Sequence, residues 1–118
     1  MAGKITEAQK PVERAIELRR KLIERQPDVT RLRADMAGDE AHLADVLFQL
    51  GRAAEAEASL RKSYTLLRRL VAGNPKDPVY RPSLARTCYS LATALKMLGR
   101  EKEAEALLAE MKRLEESK

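Results

Sequence analysis

Tryptophan is absent from this 118-residue chain, and phenylalanine, histidine and cysteine occur once each. These shortages exclude several kinds of protein. The single Cys88 cannot close an internal disulfide, which suits a reducing compartment, and at an inward position of its helix it reads as a small buried hydrophobe. His42 has Asp39, Glu40 and Asp45 near it, but no second His or Cys stands at ligand spacing, so neither a metal site nor an acid–base pair is supported. Aromatic residues make up 3% of the chain, too few to stack along a nucleic acid; Tyr64, Tyr80 and Tyr89 are explained by packing at helix contacts. No apolar run approaches the roughly 18 residues of a membrane span. Met1 to Lys10 carries neither an apolar stretch nor a small-residue cleavage site, so no secretory signal is expected and a cytoplasmic setting is the default. There is no Gly-rich phosphate loop, nucleophile elbow or zinc motif, so no enzyme and no cofactor is expected.

The chain is rich in Ala, Leu, Glu, Lys and Arg, with 44% apolar and 35% charged residues, the profile of an all-α protein. Its length suits one domain with a continuous core. The net charge of +5 could attract an acidic partner, but the arrangement favours a plainer reading. Glu55 and Glu57 precede Arg61, Lys62, Arg68 and Arg69, the order that complements a helix dipole. Glu55 with Glu57, and Glu103 with Glu105, lie two apart on a helix, point to different faces and so are not a catalytic carboxylate pair.

The most informative feature is internal repetition. Residues 27–60 laid on 75–108 without a gap give 14 identities, including Leu50-Gly51-Arg52 with Leu98-Gly99-Arg100 and Glu55 to Ala58 with Glu103 to Ala106. The offset is 48 residues, and at the same offset Gly3-Lys4 and Glu7-Ala8 repeat the motif a third time. Apolar residues recur at three- and four-residue spacing in five segments. The first holds Val12, Ala15, Ile16, Leu22 and Ile23, starts near Ile5 and is expected to be distorted at Pro11. The second holds Leu32, Met36, Leu43, Leu47 and Leu50, with Thr30 as the expected N-cap. The third holds Leu60, Tyr64, Leu67, Leu70 and Val71, with Gly73 expected to give a left-handed cap before Pro75. The fourth, begun by Asp77-Pro78 or Arg81-Pro82, holds Leu84, Cys88, Leu91, Leu95 and Leu98. The fifth runs from about Glu101 to Glu115. The resulting division is one domain over 1–118, with a half repeat at 1–27 and repeats at 28–75 and 76–118. The half repeat suggests an array excised from something longer.

The hairpin carrying Leu43, Ala44, Leu47, Gly51, Ala56 and Leu60, and again Leu91, Ala92, Leu95, Gly99, Ala104 and Leu108, resembles the tetratricopeptide repeat. Small residues let two helices approach closely, large apolar ones fill the space around them, and Gly permits the reversal. The usual repeat has about 34 residues, and this one is about 14 longer, as in the extended repeats of kinesin light chains and of arrays attached to bacterial signalling proteins such as serine/threonine kinases. The resemblance implies an all-α, right-handed α-solenoid of about five antiparallel helices. It also implies a concave groove, lined by the first helix of each hairpin, that binds a peptide or partner helix. The corresponding positions are Asp35, Gly38, His42, Asp45 and Gln49, then Arg86, Tyr89, Thr93, Lys96 and Met97. Tyr89 and Met97 would be apolar anchors, with Arg86, Lys96, Asp45 and Gln49 setting polarity. The Lys and Asn residues with which some members clamp a terminal carboxylate are replaced by Ala41, His42 and Asp45 and by Tyr89, Ser90 and Thr93.

The sequence therefore reads as a non-catalytic protein-interaction module. Two rivals accompany it: self-association into a homo-oligomer through an N-terminal helix whose stripe of Val12, Ile16 and Ile23 lacks its neighbour, and the regulatory tail of a larger signalling enzyme. RNA binding is disfavoured, because two complete repeats would read too few bases.

Overall fold

The computed structural model describes residues 2–116, with side chains described from residue 9 onward. Five helices follow one another: α1 (Ala2–Arg25), α2 (Thr30–Gln49), α3 (Ala53–Gly73), α4 (Tyr80–Met97) and α5 (Glu101–Glu116), and each packs against the next in the chain. The backbone spans 44 × 39 × 17 Å, and the short dimension is that of two helix layers in contact. The result is an all-α helical-repeat solenoid, with the five helices expected from the apolar periodicity and the stacking that the resemblance implies.

Two turns set the geometry. Gly51 and Gly99 are the only described residues with positive φ, at 71° and 76°. In the first turn the Gly51 amide donates to the Phe48 carbonyl and the Arg52 amide to the Leu47 carbonyl; Gly99 with Lys96 and Arg100 with Leu95 repeat the pair. This paired closure satisfies carbonyls left over at the helix end and needs a left-handed residue, which Gly supplies without a Cβ penalty. Helix α3 or α5 then starts at once and folds back on its predecessor.

Other helix ends differ from their sequence-based expectations. Gly73 stays helical, and Asn74 ends α3 by donating its backbone and side-chain nitrogens to the Leu70 carbonyl at 2.9 and 3.0 Å. Thr30 is the first residue of α2 rather than its cap: the cap position is Val29, which offers no side-chain bond. At α4 the Asp77 carboxylate accepts from the Val79 amide at 2.8 Å, and Pro82 falls in the first turn, where its missing N–H costs no helical bond. α1 runs unbroken through Pro11 from Ala2.

The core follows the repeat. Ala44, Ala56, Ala92 and Ala104 are buried where helices cross, with Leu47, Leu60, Leu67, Leu70, Leu84, Leu91 and Leu95 around them. Cys88 is fully buried among them, and burial pushes its thiol up to about 12, which leaves it protonated and unreactive. Arginine side chains stitch successive turns together. Arg100 bonds Glu103 in its own turn and reaches Glu57 of α3 at 3.3 Å; one repeat earlier, Arg52 bonds Glu55 and reaches Gln9 of α1 at 2.8 Å. The Glu57 side chain lies between Arg61 and Arg100.

One core position is charged. Glu40 occupies the place in α2 that Cys88 occupies in α4, and it is 5% exposed. Burial raises its pKa above the ordinary 4.5, with Lys62 of α3 and the Ser59 hydroxyl pulling the other way and Asp39 adding to the rise.

Two outcomes follow from these residues. Gly99→Ala places a side chain in a left-handed conformation with open space around it, so the cost is conformational alone, about 1 to 2 kcal/mol in urea unfolding, and Gly99→Asn should lose less. Because the folded pKa of Glu40 lies above the unfolded one, its contribution to stability is fully present below 4.5 and is lost as pH rises through the folded value. Glu40→Gln should therefore raise the melting midpoint near neutral pH, and the gain should shrink as the pH is lowered toward 4.5.

Candidate functional site

α2 and α4 run side by side with α3 beneath them, and a groove of about 420 Å³ opens between the two. Its α2 wall carries Ala34, Asp35, Gly38, Ala41 and Asp45. Its α4 wall carries Val79, Tyr80, Ser83, Arg86, Thr87 and Ser90, and Leu60, Ser63 and Leu67 of α3 form the floor. The small residues on α2 account for the opening: Gly38 and Ala41 stand where α4 has Arg86 and Tyr89.

The walls differ in charge. Asp35 and Asp45 give the α2 side carboxylates, and Asp35 is tied to Arg19 of α1 at 3.2 Å. On the α4 side the Arg86 guanidinium donates to the Ser83 hydroxyl at 3.1 Å, which holds the cation along the wall. The Thr87 hydroxyl donates to the Ser83 carbonyl and is thereby committed to its own helix. In the floor, the buried Ser63 hydroxyl has no hydrogen-bond partner among the described residues. The groove thus offers an acidic wall, a basic wall and a floor that is apolar apart from one hydroxyl. Such a channel can hold an extended or helical segment of either polarity.

Of the ten residues singled out in the sequence, Asp35, Gly38, Asp45 and Arg86 line the groove. His42, Gln49, Tyr89, Thr93, Lys96 and Met97 are exposed but do not line it. The reason lies in the 48-residue register. The edge of α2 that faces α4 carries Gly38, Ala41 and Asp45, and their counterparts Arg86, Tyr89 and Thr93 are on the edge of α4 that faces away from α2. His42 corresponds to Ser90, which faces α2 from α4, so His42 is on the far edge of α2. Arg86 reaches the groove because its long side chain spans the helix top. Sequence reading missed Ser63, Ser83 and Ser90. The spacing of seven between Ser83 and Ser90 was the available signal, since it marks one edge of a helix. Tyr89 and Met97 are 54% and 60% exposed and stand outside the groove lining. The Thr93 hydroxyl is spent on the Tyr89 carbonyl.

Among the described residues no group of three His, Cys, Asp or Glu side chains could hold a metal ion, and no helix is long and apolar enough to cross a membrane.

Comparison with known families agrees with this geometry. The family model of the tetratricopeptide repeat matches residues 41–62 and 85–110. The first match runs from α2 through the Gly51 turn into α3, and the second from α4 through the Gly99 turn along α5. No curated protein matches the chain. Tetratricopeptide repeats generally mediate protein–protein interaction and are typically non-catalytic. Matching segments on both glycine turns, in helical hairpins that pack in chain order, make this chain a member of the tetratricopeptide-repeat superfamily.

Proposed function

We propose that this chain is a non-catalytic interaction module that takes a peptide or partner helix into the groove between α2 and α4. The observation that carries this reading is the groove itself, open along two facing helices, with carboxylates on one wall and Arg86 on the other. A bound segment would bury apolar side chains against Leu60 and Leu67, while a carboxylate on it meets Arg86 and a basic residue meets Asp45. Residues on the rim set specificity and encounter rate more than affinity. The long 48-residue repeat supports the reading, since longer helices make a longer groove. Tyr89, Thr93, Lys96 and Met97 extend the binding surface across the top of α4, and His42 and Gln49 extend it across α2.

Arg86→Glu reverses the basic wall at an exposed position and should leave the fold intact. Proteins captured by the wild-type chain should be depleted about tenfold or more with Arg86→Glu combined with Tyr89→Ala, in quantitative mass spectrometry of a pull-down. Equal capture by a folded double variant would refute the groove as the binding surface.

A further inference from the structure

We propose that the outward stripe of α1, formed by Pro11, Ala15, Leu18 and Leu22, is a second docking site, for an amphipathic helix that carries a carboxylate facing Arg14. The site is separate from the groove between α2 and α4. It emerges when α1 is laid on α3 at the 48-residue offset, where Pro11, Ala15, Leu18 and Leu22 fall on Ser59, Ser63, Leu66 and Leu70. On α3, which is packed between α2 and α4, Ser59, Ser63 and Leu70 are buried and Leu66 is partly so. On α1 the same positions are open: Leu18 is 56% and Leu22 43% exposed, and Pro11 is exposed. The residues of α1 that correspond to the other side of α3 are covered, with Val12 buried and Ile16 and Ile23 half-buried beside α2. Among the described residues the stripe without a neighbour is therefore Pro11, Ala15, Leu18 and Leu22, and not the Val12, Ile16 and Ile23 expected from the sequence.

Charge says what covers it. Beside the stripe Lys10, Arg14, Lys21 and Arg25 form one row along α1, interrupted by Glu17, which pairs with Arg20, and Arg14 with Lys10 borders the shallow cleft over Pro11, Ala15 and Leu18. In the register Arg14 takes the place of Lys62, the cation that faces the buried Glu40 of α2 across the α2–α3 contact. Arg14 has no carboxylate partner among the described residues. A basic row beside an apolar stripe is complementary to a helix with apolar residues at three- and four-residue spacing and acidic flanks, the pattern of α2 itself with Asp35, Asp39, Glu40 and Asp45. The same row repels a second α1, which disfavours stripe-on-stripe pairing of two copies.

The probe is a labelled peptide of residues 28–50, titrated with the intact chain and read by fluorescence anisotropy. Leu18→Asp should weaken binding about tenfold or more through lost apolar burial. Arg14→Glu should weaken it about fivefold, and Glu40→Lys in the peptide should restore binding to the Arg14→Glu chain. Both substituted positions are exposed, so circular dichroism melts should match wild type. Absence of binding would overturn the proposal. So would binding indifferent to both substitutions, which would mean that the peptide displaces α2 from α3. A chain that sediments as a dimer, and as a monomer with Leu18→Asp, would assign the stripe to a second copy and also overturn it.

Discussion

Everything in this array hangs on the left-handed backbone at Gly51 and Gly99. A residue at φ near +70° closes the preceding helix with two amide-to-carbonyl bonds and turns the chain back within two residues. With so short a connection, α3 can only lie against α2 and α5 against α4, and the alanines placed after each glycine bring the helix axes close. The following arginine ties each turn to its neighbour. Arg52 and Arg100 each bond a glutamate of their own turn and a polar side chain on the helix one repeat before. Folding of the hairpin and stacking of the hairpins are thus coupled through adjacent residues.

That coupling explains why the architecture was legible. Gly51, Arg52, Glu55 and Ala56 recur because the same backbone event recurs, and the Leu and Ala positions recur because they fill the same space. Helix boundaries were legible only in part. Thr30 has the chemistry of a cap, yet α2 begins one residue earlier than that role requires. Gly73 has the freedom for a left-handed turn, yet Asn74 ends the helix with its own amide bonds. A local preference permits such roles without deciding them, because the path of the connecting segment is set by how the two helices pack.

The groove was harder to read because a stripe of exposed positions is not yet a surface. Asp45 and Thr93 share a register position, but one faces another helix and the other faces outward. Only the placement of α4 beside α2 distinguishes them, and that is a property of the pair. Repeats make equivalent positions inequivalent at the margins of an array. The residues that differ between the repeats, Gly38 against Arg86 and Ala41 against Tyr89, follow this asymmetry: small side chains border the groove, and large ones stand where nothing crowds them.

Arg19 gives this asymmetry an energetic direction. It holds the place that Leu67 holds in α3, and in place of an apolar contact it pairs with Asp35 and Asp39 of α2. An apolar contact is not screened by added salt, whereas a partly exposed ion pair is. The α1–α2 seam is therefore more sensitive to salt than the α3–α4 seam of the same register, where Leu67 stands in the arginine's place.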